Sequence, residues 1–388
     1  MRWSTVLLFL SPMKMGEWRL IMKALFLAGG MGTRLQPLTD NLPKPMVPIL
    51  NKPLLERTML NLKKSGISEV VISTCYHPEY IEEYFKNGSK LDMKINYIVE
   101  ESPMGTGGAI KMAEKYFDET FVVFNSDILS DINISKMIDY HKSKKALATI
   151  AVTDVRDPSI YGVIEYDQNG YALSFIEKPK PGVTTSKSIN AGIYIFEPAI
   201  FDEIASDRAV SIEREIFPKL LNNNLKISVF QSGGYWMDIG TIQKYRQAHW
   251  DIMNGKCKLV DCDFDDSDIS IGKNVTIHPS SLIVGPAYIG DNAIIGDNVQ
   301  INHSVIGNNV SIGDGSKIIG SILWNDVIVS KNASLIDAVV TESSFEDNEV
   351  KILKNLTIIG PLTSKKLSGK EMERSELIKS KKREDDKI

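Results

Sequence analysis

Ile271, Ile277, Ile283, Ile289, Ile295 and Ile301 stand six residues apart without a break, and Gly272, Gly290 and Gly296 directly follow three of them. A six-residue repeat with one inward aliphatic is the signature of a left-handed parallel β-helix, in which three hexads make one triangular coil and each coil buries its face only on its neighbours. A second run, Ile306-Gly307, Ile312-Gly313 and Ile318, resumes the period after a five-residue step. Any fold for this chain must therefore place a solenoid in its second half.

The chain has 388 residues, long for one core, so at least one further domain is expected. From Met22 to about Gly255 short apolar runs alternate with helical spacing. KALFLA, EVVIST, KINYIV and FVVFNSD read as buried strands. Leu54, Leu55, Thr58, Met59 and Leu62 repeat as a helix that Gly66 stops, and further helical stretches lie near Glu79–Lys86 and Gly108–Tyr116. Alternating strand and helix predict an α/β, Rossmann-like domain with a mixed, mainly parallel sheet and its ligands at the strands' carboxyl ends. The expected divisions are 1–21 as a spurious or disordered extension, 22–255 as the catalytic domain, 256–360 as the left-handed β-helix and 361–388 as a charged tail.

A net charge of −4 gives no basic field for nucleic acid, yet leaves room for a local pocket that takes a small anion. The apolar run Val6–Leu10 is too short for a membrane span. Cys75, Cys257 and Cys262 are too few and too irregular for a disulfide framework or a zinc site, which points to a cytoplasmic address. His77, His141, His249, His278 and His303 show no relay spacing and read as ordinary side chains.

The stretch LAGGMGTRLQPLTDNLPKPM, Leu27 to Met46, holds glycines, cations and hydroxyls but fits neither common phosphate motif. Counting a dinucleotide fingerprint from Gly30 puts its third glycine position on Leu35, and counting a Walker loop from Gly29 puts its second on Arg34. Still, a strand ending in Leu27-Ala28-Gly29-Gly30 lets backbone N–H groups approach a nucleotide, and Gly32-Thr33 continues that surface. Arg34 and Lys44 supply two cations for one polyphosphate, with Pro43 and Pro45 stiffening the approach of Lys44. Asp127 ends an apolar strand and Asp238 sits in YWMDIG. Two carboxylates in such settings call for a cation, and Mg2+ suits two carboxylates whose octahedron phosphate oxygens and water complete. Lys178, before Pro179, is the next anion-binding candidate.

GGMGTRLQPLT followed by PKPMVP resembles the signature of the sugar-phosphate nucleotidylyltransferases, and the likeness recurs in order from Met22 to about Gly360. ESPMGTGGAI is similar to that family's base-binding segment, which implies Pro103, Gly105 and Thr106 at the nucleotide beside Asp127. FNSDIL and GYWMDIGT resemble its two metal-aspartate motifs, implying Mg2+ on Asp127 and Asp238. YGVI, FIEKP and NAGIYIF resemble its sugar-phosphate pocket, implying Gly162, Glu177, Lys178 and Asn190 at the sugar. The implied catalytic residues are Arg34, Lys44 and Lys178, and no general base is required because nucleophile and leaving group are both phosphates.

SIEREIFPKLL, KSINAGIYIFEP and GYWMDIGT resemble the mannose-1-phosphate guanylyltransferases most, which favours GTP and mannose 1-phosphate as substrates. Glucose 1-phosphate with UTP or dTTP stays open, because ESPMGTGGAI departs from the alanine- and leucine-rich version of eukaryotic guanylyl enzymes. A catalytically silent regulatory subunit would be expected to lose Arg34, Lys44, Asp127, Lys178 or Asp238, and all five are present. An acyltransferase role for the β-helix would want His278 or His303 as base. The plainer expectation is an assembly surface that makes the protein a homo-oligomer.

Overall fold

A computed structural model describes residues 22–259, 264, 268–341, 353–354 and 357–358. The expected extension 1–21, Cys262 and the charged tail 361–388 lie outside the described residues. The first part of the chain runs β1 (Lys23–Ala28), β2 (Pro48–Ile49), β3 (Lys52–Pro53), α1 (Leu54–Lys64), β4 (Glu69–Thr74), α2 (Pro78–Phe85), β5 (Lys94–Val99), α3 (Gly105–Met112), β6 (Phe121–Asn125) and β7 (Ile128–Ser130). It continues α4 (Ile134–Lys144), β8 (Ala148–Asp154), β9 (Gly162–Tyr166), β10 (Ala172–Glu177), β11 (Ser188–Phe196), α5 (Phe217–Asn222), β12 (Ile227–Gln231), β13 (Trp236–Asp238) and α6 (Ile242–Met253).

Strands β5, β4, β1 and β6 pair in parallel, with Leu25 opposite Val71 on one side and Val123 on the other. Both faces of β1 are covered: Leu25 joins a core with Val71, Val123 and Phe196, while Ala24 and Phe26 join another with Val70, Ile72 and Met59. That explains why these strands read as unbroken apolar runs. The parallel pattern stops at β11, which runs antiparallel to β6, β8 and β9. Its register slips between Asn190 and Tyr194, around Gly192 at φ 69°. A Cβ there would come within 2.7 Å of Asn125 Nδ2, so the slip needs glycine both for its backbone angle and for space.

The isoleucine hexads form three parallel sheets. Ile277, Ile295, Ile312 and Val329 stack in one column, Ile283, Ile301, Ile318 and Leu335 in another, and Ile289, Ile306, Leu323 and Val340 in the third. Each fully buried side chain contributes roughly 1.5–3 kcal/mol. The repeat thus continues past Ile318 through Leu323, Val329, Leu335 and Val340, where leucine and valine replace isoleucine.

One face of this prism is sealed against the α/β part. Val305, Ile322 and Val339 share a single core with Leu35, Ile49, Leu54, Tyr245 and Ile252. Trp324 Nε1–H donates to the Tyr245 hydroxyl at 2.9 Å, and that hydroxyl donates to the Pro48 carbonyl at 2.9 Å. Arg246 pairs with Asp337 at 2.6 Å and donates to the Gly320 carbonyl, while Trp250 meets His303 edge-on at 4.7 Å. No helix among the described residues is long and apolar enough to cross a membrane.

His249 sits fully buried at this junction, edge-on to Tyr245, and burial pushes its pKa down to about 4. The unfolded chain binds the proton near pH 6.5 and the folded chain only near pH 4, so stability falls as pH drops through that window and levels off below it. Denaturant titrations from pH 7 to pH 4 should show a loss of up to about 3 kcal/mol that His249→Gln removes; an unchanged slope in that variant would refute the assignment.

Candidate active site

The loop after β1, the carboxyl ends of β5 and β6, and the start of α3 enclose a cavity of about 300 Å³. It is lined by Leu27, Gly29, Gly30, Lys44, Pro103, Gly105, Thr106 and Asp127, eight of the residues expected at a nucleotide. Gly105 must be glycine: its φ is 71° and a Cβ would lie 2.6 Å from the Val210 carbonyl. Ala28 lies buried behind this wall, and Thr33 stands exposed at its edge. Gly32, at φ 64°, packs close to Lys44 and turns the loop back on itself.

The two expected metal aspartates come together through one strand pair. Asp238 lies opposite Ile128 in β13 and β7, and the Ile239 N–H donates to the Asp127 carbonyl at 2.8 Å. Each carboxylate holds an ammonium. Lys44 Nζ is 2.5 Å from Asp127 Oδ2, whereas Asp238 Oδ1 accepts from Lys244 Nζ and from the Tyr161 hydroxyl at 2.9 Å. Burial draws Lys244 toward its neutral form, but the Asp238 and Tyr161 oxygens outweigh it and its pKa is raised. Arg34 is exposed and reaches over Gly240, where a Cβ would lie 3.0 Å from Asp238 Oδ2 and 3.6 Å from the guanidinium. Of the two loop cations, Lys44 holds Asp127 and Arg34 lies on the side of Gly240. With hard oxygen donors from adjacent strands and two ammonium ions already drawn in, the pair fits Mg2+ once phosphate and water supply the remaining ligands. Among the described residues no third His, Cys, Asp or Glu joins them.

The expected sugar residues form a second group beside the first. A Cβ on Gly162 would come within 2.9 Å of Glu177 Oε2, and Lys178, at φ 50°, extends into solvent with its ammonium 3.7 Å from Glu177. Burial raises the pKa of Glu177, and the like charge of Glu213 adds to the shift. Asn190 donates to the Tyr194 hydroxyl at 2.8 Å, which in turn donates to Glu213 at 3.4 Å. Glu213 also accepts from Thr106 at 2.7 Å and Ser211 at 2.8 Å, tying this group to the cavity wall.

Sequence reasoning missed several of these groups. Glu100 is 5% exposed on the cavity wall, accepting from Ser73 Oγ and the Met104 N–H at 2.9 Å each. It directly precedes the exposed Glu101 with which the quoted motif began, and its place at the end of β5 was the available signal. Asn125 Oδ1 is buried on the cavity wall with no donor among the described residues. Tyr161, Tyr194 and Glu213 lie inside the motifs YGVI, NAGIYIF and SIEREIFPKLL without having been singled out there, and Lys244 carries no local signature. Cys75, beside Gly29, is held in its thiol form by burial with Glu100 adding, and Cys257 is buried.

Residues 23–255 match the family described as nucleotidyl transferase, and residues 268–303 and 286–320 match the bacterial transferase hexapeptide (six repeats). The chain is thus a nucleotidyl transferase. It is 35% identical to the mannose-1-phosphate guanylyltransferase of Mycobacterium tuberculosis over 73% of this chain and 79% of that one. Identity is also 35% to the UTP--glucose-1-phosphate uridylyltransferase of Synechocystis sp., over 72% and 76%. Among solved structures, HddC from Yersinia pseudotuberculosis complexed with GMP-PN matches 60% of this chain and 99% of its own, at 32% identity and a TM-score of 0.52. Within the nucleotidyl transferases, the chain belongs to the sugar-1-phosphate nucleotidyltransferases, the family these two relatives share.

Proposed function

We propose that the protein joins GTP to mannose 1-phosphate, giving GDP-mannose and pyrophosphate. The observation that carries the choice of base is Glu100. Guanine offers an N–H and an amino group side by side, and a fixed carboxylate accepts from both. Uracil and thymine would set a carbonyl oxygen against the same carboxylate. Mannose 1-phosphate is supported by the guanylyltransferase relatives, which include the chain from Mycobacterium tuberculosis.

The chain's own residues give a mechanism of positioning and charge. Gly29 and Gly30 let the backbone approach the triphosphate. Asn125 Oδ1 takes a ligand hydroxyl as its missing donor. Glu177 and Asn190 orient the sugar, and Lys178 closes on its phosphate. That phosphate's oxygen attacks the α-phosphorus, the new P–O bond forming as the bond to the β-phosphate oxygen breaks, and pyrophosphate leaves. Arg34 and Lys44 offset the charge growing there. Asp127 and Asp238 would hold Mg2+, which supplies charge neutralisation between the two phosphates. We further propose that the protein pairs with a second copy through its β-helix, where Ile294 and Ile328, 53% and 49% exposed, flank Ser311 in one outward column.

Pyrophosphate release should be confined to GTP with mannose 1-phosphate when five nucleotides are crossed with mannose and glucose 1-phosphates. Glu100→Gln should cut the preference for GTP over UTP by about tenfold to a hundredfold, the size of one charged hydrogen bond. Release with glucose 1-phosphate and UTP would keep the chemistry and overturn the substrates. Asp127→Asn and Asp238→Asn should each remove most turnover with the far-ultraviolet circular dichroism unchanged; near wild-type rates in Mg2+ would sink the metal assignment. Ile294→Asp with Ile328→Asp should yield a monomer in sedimentation, and an unaltered oligomer would place the contact elsewhere.

A further inference from the structure

Asp238 is ion-paired with Lys244. Lys244 Nζ lies on Oδ1 of that carboxylate and 2.7 Å from the Tyr161 hydroxyl, on side chains that are 30% and 12% exposed for Lys244 and Asp238. The other oxygen, Oδ2, lies beside Gly240, where a Cβ would come within 3.0 Å of it. The backbone that carries Lys244 is anchored, because its N–H is held by the Thr241 cap and the next two residues, Tyr245 and Arg246, are fastened to the β-helix. A divalent cation using Asp238 must therefore compete with a tethered ammonium for the same carboxylate.

A carboxylate that already carries a charge-assisted hydrogen bond attracts a second cation less strongly. Triphosphate changes the balance, since its oxygens can accept both the cation and the released ammonium. We propose that Lys244 is a built-in counter-ion of Asp238 that competes with the divalent cation, keeping cation affinity low until a nucleotide's phosphates arrive. This rests on the reading of Asp238 as a cation ligand. The role differs from that of Lys44, which comes from the nucleotide loop itself and lies on the cavity wall.

Mn2+ titration of the nucleotide-free, full-length protein, followed by the electron paramagnetic resonance of free Mn2+, tests the idea without turnover. Lys244→Met should bind Mn2+ about tenfold more tightly than wild type, the worth of one charge-assisted contact. Lys244→Arg, which keeps the charge, should stay near wild type. Adding a non-hydrolysable GTP analogue should tighten Mn2+ binding strongly in wild type and less in Lys244→Met. Equal or weaker binding by Lys244→Met overturns the proposal, as does equal tightening by the analogue in both proteins. If Asp238→Asn leaves Mn2+ binding unchanged in both backgrounds, the underlying ligand assignment fails instead, and the proposal with it.

Discussion

The short antiparallel pairing of β7 with β13 is the constraint on which the rest depends. It sets Asp238 across from Ile128, the residue after Asp127, so that two aspartates from distant parts of the sequence meet at one short strand pair. Like charges at such proximity repel, and the fold answers with one cation apiece: Lys44 from the nucleotide loop and Lys244 from the helix that follows. Those two lysines in turn determine where the loop after β1 and the start of α6 can lie. The electrostatics of a reaction between two phosphates is thus prepared before either substrate is present.

A second link joins the residues proposed for the base to those proposed for the sugar. Glu213 gathers hydroxyls from Thr106, Ser211 and Tyr194, and Tyr194 reaches Asn190. Because Glu213 also presses Glu177 toward its protonated form, the two halves of the site share charge as well as hydrogen bonds.

Much of this was legible in the sequence, and the reason is physical. A solenoid buries one aliphatic per hexad, so the isoleucines print its period directly. The period faded after Ile318 only because Leu323, Val329, Leu335 and Val340 fill the same columns with other aliphatics and a shorter step. Strand ends with glycine or aspartate likewise betray ligand positions. What stayed hidden depends on contacts between distant segments. Glu100 and Glu101 are neighbours of the same type, and only the end of β5 decides which one turns inward. Lys244 looks like any helical lysine until β13 brings Asp238 beside it. A mixed sheet was expected, but which strands run antiparallel was hidden, since a slipped strand such as β11 is set by its partners and by Gly192 rather than by its own apolar pattern.

The apolar column that seals the β-helix to α6 repeats: Val305, Ile322 and Val339 are nearly the same side chain presented one coil apart. Apolar contact alone would be almost indifferent to a slide of one coil, about 4.8 Å, along the prism. The polar contacts are not periodic in this way. Trp324 finds Tyr245 and Asp337 finds Arg246 in one position only, since one coil back their places are taken by Gly307 and Gly320. These few bonds act as a keying device that selects one docking from a set of near-equivalent ones. A solenoid offers a ladder of identical rungs, and a catalytic domain that must be set to a fraction of an ångström needs an unlike residue to mark which rung is its own.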